Sequence, residues 1–166
     1  MVGLFYNPNI HPYTEYQKRL QSVRDLEIRE KIQMIYRDVY DLDEFLRGVT
    51  FREEKRCLFC YHMRLKETVI IARHGKFSHF TSTLLYSRYQ DHDAICEISA
   101  SLAKKYNVKF LNRDFRAGWK DGIEKSKALG LYRQEYCGCI YSERDRYLVK
   151  KKPDSIIQRE KNENAK

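Results

Sequence analysis

No apolar run in this chain approaches the roughly 20 residues that a membrane-spanning helix needs. The opening stretch, Met1-Val2-Gly3-Leu4-Phe5-Tyr6, is too short for a signal peptide. Together these absences set the expectation of a cytoplasmic protein with no membrane partner. A Gly-rich phosphate loop is also missing, which removes nucleotide binding through a P-loop or a dinucleotide fingerprint. Internal repeats and low-complexity segments are absent. The five histidines (His11, His62, His74, His79 and His92) are scattered, and no pair has metal-ligand spacing with a carboxylate. Each reads as an ordinary polar residue, and only His11 falls near a predicted site. Acidic residues are in deficit: 23 Asp and Glu against 32 Lys and Arg give a formal charge of +9. That excess suits a polyanionic partner, nucleic acid first, although a solvated basic surface is the plain alternative.

At 166 residues, 42% apolar and 33% charged, the chain is one ordinary globular domain that can bury a core without disulfides. Short apolar strands are expected over residues 3–6, 33–39 and 108–111, and a strand with its exit loop over 77–85. Helical spacing predicts helices over 14–31 (capped by Thr14), 43–49, 56–73, 91–106, 118–129, and from Ser142 onward. The helix over 56–73 has the clearest stripe: Leu58, Tyr61, Leu65, Val69 and Ala72. Strands alternating with helices predict an α/β fold, an open and mostly parallel sheet covered by helices. The domain spans residues 1–149, and the basic tail over 150–166 is expected to be disordered. Ligands of such sheets bind beyond the carboxyl ends of the strands. Asn7-Pro8-Asn9, Thr81-Ser82-Thr83 and Asp114-Phe115-Arg116 all fall at those exits.

Chemistry concentrates in the cysteines, five in all. In a reducing compartment they read as ligands or redox groups before structural bridges. Cys137-Gly138-Cys139 places two thiols one glycine apart. A disulfide between residues i and i+2 closes a small strained ring, which makes it labile and suited to electron transfer. The glycine lets both sulfurs point one way, and the same geometry lets both thiolates hold one metal. Cys57-Leu58-Phe59-Cys60 opens the predicted 56–73 helix, with both sulfurs on one face. The helix N-terminus and Arg56 should favour thiolate there. That pair fits an iron–sulfur cluster, zinc, or a thioredoxin-like dithiol. All four together could form the zinc site of a nucleic-acid-binding module without catalysis, although C-x-C is an uncommon half for one. Small buried apolar residues are the plain alternative, preferred for Cys96. Arg116 and Arg133 could grip phosphate. Tyr6, Tyr132 and Tyr136 could stack on an unpaired base, though with thirteen tyrosines some aromatic loop residues are expected by chance.

In order along the chain, Tyr6-Asn7-Pro8-Asn9-Ile10, Glu15-Tyr16, Arg56-Cys57-x-x-Cys60, Ser82-Thr83-Leu84-Leu85, Lys109-Phe110, Asp114-Phe115-Arg116 and Leu131-Tyr132-Arg133-Gln134-x-Tyr136-Cys137-Gly138-Cys139 resemble one family. It is the cobalamin-independent epoxyqueuosine reductases, and the similarity covers about residues 3–141. The resemblance implies a Rossmann-like domain of the nucleotide-hydrolase type. It implies a tRNA-modifying oxidoreductase that removes the epoxide oxygen of epoxyqueuosine at the wobble position, giving queuosine. It also implies a 4Fe–4S cluster with Cys57 and Cys60 among its ligands, a second mononuclear iron, and an electron donor that the sequence does not identify. Cys137 and Cys139 match a pair regarded as a redox-active disulfide or as metal ligands. Around them, Tyr6, Asn7, Asn9, Thr83, Arg116 and Arg133 are the candidate substrate-binding residues. Asp114 and Tyr136 are the candidate proton donors. One departure stands out: the family's leading strand and its Cys-Cys loop have no counterpart before Cys57. The expectation is a sheet lacking its first strand, with unpaired ladder groups beside residues 3–6. With it goes a chain incomplete as a catalyst, either an inactive truncated reductase or part of a longer reading frame.

Overall fold

An apolar residue every third or fourth position over Arg56–His74 produces the longest helix of the computed structural model, which describes residues 1–148. The tail over 150–166 lies outside the described residues. In chain order the elements are β1 (Val2–Phe5), α1 (Tyr13–Glu30), β2 (Gln33–Tyr36), α2 (Leu42–Val49), α3 (Arg56–His74), β3 (His79–Phe80), α4 (His92–Tyr106), β4 (Lys109–Phe110), α5 (Trp119–Ala128) and α6 (Ile140–Tyr147). Single 3-10 turns cover Glu53–Lys55, Thr83–Tyr86 and Arg116–Gly118. No helix among the described residues is long and apolar enough to cross a membrane.

The α/β class and the parallel pairing hold, and the described residues show two separate strand pairs in place of one continuous sheet. β1 pairs with β2, Val2 opposite Gln33 and Phe5 opposite Tyr36. Separately, β3 pairs with β4, Phe80 opposite Phe110. Among the described residues nothing joins the two pairs, so every strand is an edge strand. The strands are also shorter than the apolar runs suggest. After Phe80, the Ser82 hydroxyl accepts the Leu84 N–H at 3.2 Å and turns the chain into a 3-10 turn. An expected strand over 77–85 thereby shrinks to His79–Phe80.

The main core lies between α3 and α4, where Tyr61, Leu65, Val69 and Ala72 meet Ile95 and Leu102, with Phe80, Leu84, Leu85 and Val108 beneath. Leu58, expected in this stripe, is 44% exposed because it sits in the first turn, before the helices meet. A second cluster joins Phe5 and Ile10 to Tyr16 and Leu20 of α1. A third gathers Phe45 and Val49 of α2 with Cys139 and packs against Phe59, Cys60 and Met63. Helix starts follow the caps. Asp91, expected as the first helical residue, instead caps α4 and accepts the Ala94 N–H at 3.0 Å. α1 starts at Tyr13 behind Pro12, with no side-chain cap, so Thr14 lies inside the first turn. α6 starts at Ile140, two residues before the expected Ser142, because Cys139 Sγ accepts the Ser142 N–H.

Leu65→Ala should destabilise the protein by about 2–5 kcal/mol, since a buried leucine lost from a packed core leaves a cavity. Ile28→Ala, at a 75% exposed position, should stay within about 0.5 kcal/mol. Urea unfolding of both variants measures the contrast.

Candidate active site

The segment between α5 and α6 has no regular structure of its own, and α1 holds it. Glu15 and Arg19, one helical turn apart, are both buried and paired, with Arg19 Nε donating to Glu15 Oε1 at 2.7 Å. The rest of the guanidinium is spent on the loop. Its Nη1 donates to the Gln134 side-chain oxygen at 2.7 Å and to the Cys137 carbonyl at 3.0 Å, and Nη2 donates to the Tyr136 carbonyl at 2.9 Å. The second oxygen of Glu15 accepts the Tyr132 hydroxyl at 2.5 Å. His11 N–H donates to the Gly138 carbonyl at 2.7 Å, and the Tyr136 hydroxyl donates to the His11 carbonyl at 2.6 Å. Gly138 has φ +120°, and a Cβ there would stand 2.9 Å from Ile10 and 3.0 Å from Arg19. Both the backbone angle and the close approach exclude a side chain.

This clamp presents two unequal thiols. Cys137 is exposed and Cys139 buried, with their sulfurs 3.9 Å apart. Cys137 is pushed down to about 5. The Cys139 thiol donating to it is the largest cause; the Ser142 hydroxyl, whose oxygen lies 3.0 Å away, the Cys139 N–H and Arg64 add to it. Cys139 moves the other way, held protonated by its bond to Cys137 and then by burial. One proton thus serves both sulfurs, leaving an exposed thiolate beside a buried thiol.

Cys57 and Cys60 occupy the first turns of α3, Cys57 exposed and Cys60 half-buried. The expected thiolate character is not found. Burial raises both, Cys60 to about 11. Arg56 opposes the rise at Cys57 and Arg64 at Cys60. The help from Arg56 is blunted because its Nη2 pairs with Asp145 at 2.8 Å. Charge on Cys137 raises both thiols further, so the two pairs are electrostatic neighbours. Yet among the described residues no three His, Cys, Asp or Glu side chains stand close enough to hold one metal ion. As arranged, the four thiols are right in kind for a cluster but do not enclose one.

The other predicted residues divide. Asn9 reaches the site: it is 2% exposed, its amide nitrogen would stand 3.4 Å from a Cβ added at Gly138, and its Oδ1 has no hydrogen-bond partner among the described residues. Asn7 is half-buried, and its carbonyl accepts the Ile10 N–H. The Tyr6 hydroxyl is raised by burial and then by Glu67 of α3. Thr83 is exposed in its 3-10 turn, and Arg133 is exposed with no ion pair among the described residues. The two candidate proton donors both have partners. Asp114 is gripped by Arg116, Nη2 to Oδ2 at 2.7 Å and Nε to Oδ1 at 2.9 Å, which holds the carboxyl far below its usual range. The same pair occupies Arg116. Tyr136 is raised, chiefly by burial, and its hydroxyl is committed to the His11 carbonyl, so it acts as a strut. The sequence reading missed Arg19, Arg64 and Ser142 and gave Glu15 no role. The spacing Glu15-x-x-x-Arg19 was visible, but its burial was not. Two surface hollows among the described residues, one lined by Asp43, Arg47 and Phe51 and the other by Lys18, Asp25 and Tyr132, have no cysteine in their lining.

Alkylation of the protein by iodoacetamide should track Cys137 thiolate, rising with pH to a plateau from a midpoint near 5. An ordinary thiol would rise near 8.5. Ser142→Ala removes one stabilising hydroxyl and should move the midpoint upward. Mass spectrometry of the labelled peptide reads both.

The sequence profile of a family described as "Epoxyqueuosine reductase QueH" matches residues 1–145, a span that contains both cysteine pairs and the Glu15–Arg19 clamp. A protein of that name from Dehalococcoides mccartyi is 40% identical over 144 residues, covering 86% of this chain and 79% of the relative. Another, from Thermotoga maritima, is 37% identical over 152 residues, covering 83% and 77%. One from Helicobacter pylori is 35% identical over 154 residues, covering 86% of this chain and 42% of the longer relative. With a profile match over nearly all of the described chain and relatives at this identity, the protein belongs to the epoxyqueuosine reductase QueH family of oxidoreductases.

Proposed function

We propose that this protein reduces epoxyqueuosine to queuosine at the wobble position of tRNA, in the cytoplasm, with Cys137 and Cys139 supplying the electron pair. The observation that carries the reading is the asymmetry of the thiols: an exposed thiolate-prone sulfur 3.9 Å from a buried protonated one. Cys137 thiolate attacks one epoxide carbon; the S–C bond forms, the C–O bond breaks, and the alkoxide takes the Cys139 proton. Cys139 thiolate then attacks the Cys137 sulfur. The S–S bond forms and the S–C bond breaks. That electron pair becomes the carbon–carbon double bond, and the neighbouring hydroxyl leaves with a proton from water. The epoxide loses its oxygen as water while two sulfurs are oxidised to a disulfide, which an external two-electron donor reduces again. Backbone freedom at Gly138 supports the approach of the sulfurs.

The +9 charge favours a tRNA partner. Rossmann-like architecture belongs to the same reading and is supported by two parallel strand pairs, each crossed over by a helix. We further propose that Cys57 and Cys60 are two ligands of a 4Fe–4S cluster that needs thiolates beyond these two. When bound, such a cluster supplies single electrons. A second iron chelated by Cys137 and Cys139 is the other use of that pair; the proton shared between the sulfurs favours the dithiol.

Queuosine formation in tRNA should be lost in both Cys137→Ser and Cys139→Ser. The second variant should also trap a thioether between Cys137 and the RNA, visible as a mass shift, whereas the first should not. Near-normal turnover in either variant would remove the dithiol from the chemistry. Cys57→Ala and Cys60→Ala should each lower iron and sulfide content after anaerobic reconstitution, and unchanged stoichiometry would sink the cluster assignment.

A further inference from the structure

Beyond the cysteines, the surface carries an aromatic assembly that the proposed chemistry does not use. Tyr89 is 85% exposed in the turn before α4, and its ring meets Trp119, the first residue of α5, edge to face at 5.9 Å between centroids. Arg88 lies over the Trp119 ring at 5.9 Å. Beneath them Tyr86 packs against Trp119 at 5.1 Å, and its hydroxyl donates to the Trp119 carbonyl at 3.1 Å. Gly122 makes room for this, because a Cβ there would come within 2.0 Å of the Tyr86 hydroxyl. Tyr86 and Gly122 thus fix the tryptophan from below while Tyr89 and Arg88 stay on the outside. Among the described residues Arg88 and the neighbouring Lys120 have no ion pair, so their charge is available to a ligand.

The assembly is tied to the cysteines through one side chain. Tyr61, one turn after Cys57 on α3, donates its hydroxyl to the Gln90 side chain at 2.8 Å and accepts the Asp91 N–H at 3.2 Å. Gln90 and Asp91 are therefore fastened to the helix that carries Cys57 and Cys60. An exposed aromatic ring against tryptophan, with free cations beside it, is what an unpaired base and its phosphate require: a π-face to stack on and a positive charge for the backbone.

We propose that Tyr89, Trp119 and Arg88 form a stacking platform for an unpaired base of an RNA loop, next to the nucleotide that enters the cysteine site. The identity of that RNA rests on the reductase reading, but the platform can be tested without turnover. Trp119 is the sole tryptophan, so its emission reports on the platform alone. Three probes at one salt concentration suffice: an RNA anticodon stem–loop, a blunt RNA duplex of equal length, and inorganic polyphosphate. The stem–loop should quench Trp119 emission, and the other two should bind with little change. Tyr89→Ala and Arg88→Ala should each weaken stem–loop binding about tenfold while leaving the pH profile of Cys137 alkylation unchanged. The platform is overturned if the stem–loop does not bind, if it binds without quenching, if polyphosphate quenches equally, or if Tyr89→Ala binds normally. Quenching without queuosine formation would retain the platform and reject the reductase chemistry. Queuosine formation without quenching would do the reverse.

Discussion

A guanidinium that is 8% exposed must find a counter-charge and partners for its N–H groups, or its burial is prohibitive. Arg19 satisfies that demand with Glu15 on its own helix and with oxygens from residues 134, 136 and 137. The cysteine loop is therefore held less by its own preferences than by the electrostatic need of a residue more than a hundred positions away. Lysine could supply the charge but not the planar fork that reaches three directions at once. Breaking such a pair by removing one partner typically costs about 3–5 kcal/mol. Here that cost would fall on the loop carrying Cys137 and Cys139.

The loop then divides labour between chemically identical thiols. The Cys139 thiol, the Ser142 hydroxyl and Arg64 favour charge on Cys137 against the cost of desolvating it, while Cys139 is packed with Phe45 and Val49 and keeps the proton. α6 contributes through its first turn, since Cys139 caps it and Ser142 sits at the third position. The same charge opposes ionisation of Cys57 and Cys60. By reciprocity, thiolates there would oppose ionisation of Cys137. Without an added cation the site favours one negative sulfur at a time, and the geometry selects Cys137 for it.

Local signals made much of this legible. The stripe Tyr61, Leu65, Val69 and Ala72, the helix beginning near Asp91 and the paired cysteines follow from spacing and composition. The failures have particular causes. The run at 77–85 is apolar enough for a strand, but the Ser82 hydroxyl competes for the backbone and ends it after Phe80. Arg56 does favour the Cys57 thiolate, but burial outweighs it, and Asp145, 89 residues away, also pairs with Arg56. Asp114 and Arg116, two residues apart, looked like separate tools and instead neutralise each other. In each case a side chain was already committed to a partner, and spacing does not display such commitments. The resemblance located the Cys137-Gly138-Cys139 loop, but only three-dimensional packing shows why its glycine admits no side chain.

Placement of the site follows from α3. Its apolar stripe packs on α4 and fixes Tyr61 at the junction, 3% exposed as a residue yet with its hydroxyl bonded to Gln90 and to the Asp91 N–H. That hydroxyl joins the start of α4 to the helix bearing Cys57 and Cys60. Three residues after Tyr61, Arg64 reaches Cys60 and acts on Cys137. One helix thus carries the core stripe, one pair of thiols and a cation acting on the other pair. A helical turn advances about 5.4 Å, so residues 57 to 64 span two turns, and within that length packing, electrostatics and the approach to the thiols are rigidly coupled. Any change that rotates α3 would misplace all three together, which is why a core residue such as Tyr61 belongs to the site as much as the cysteines do.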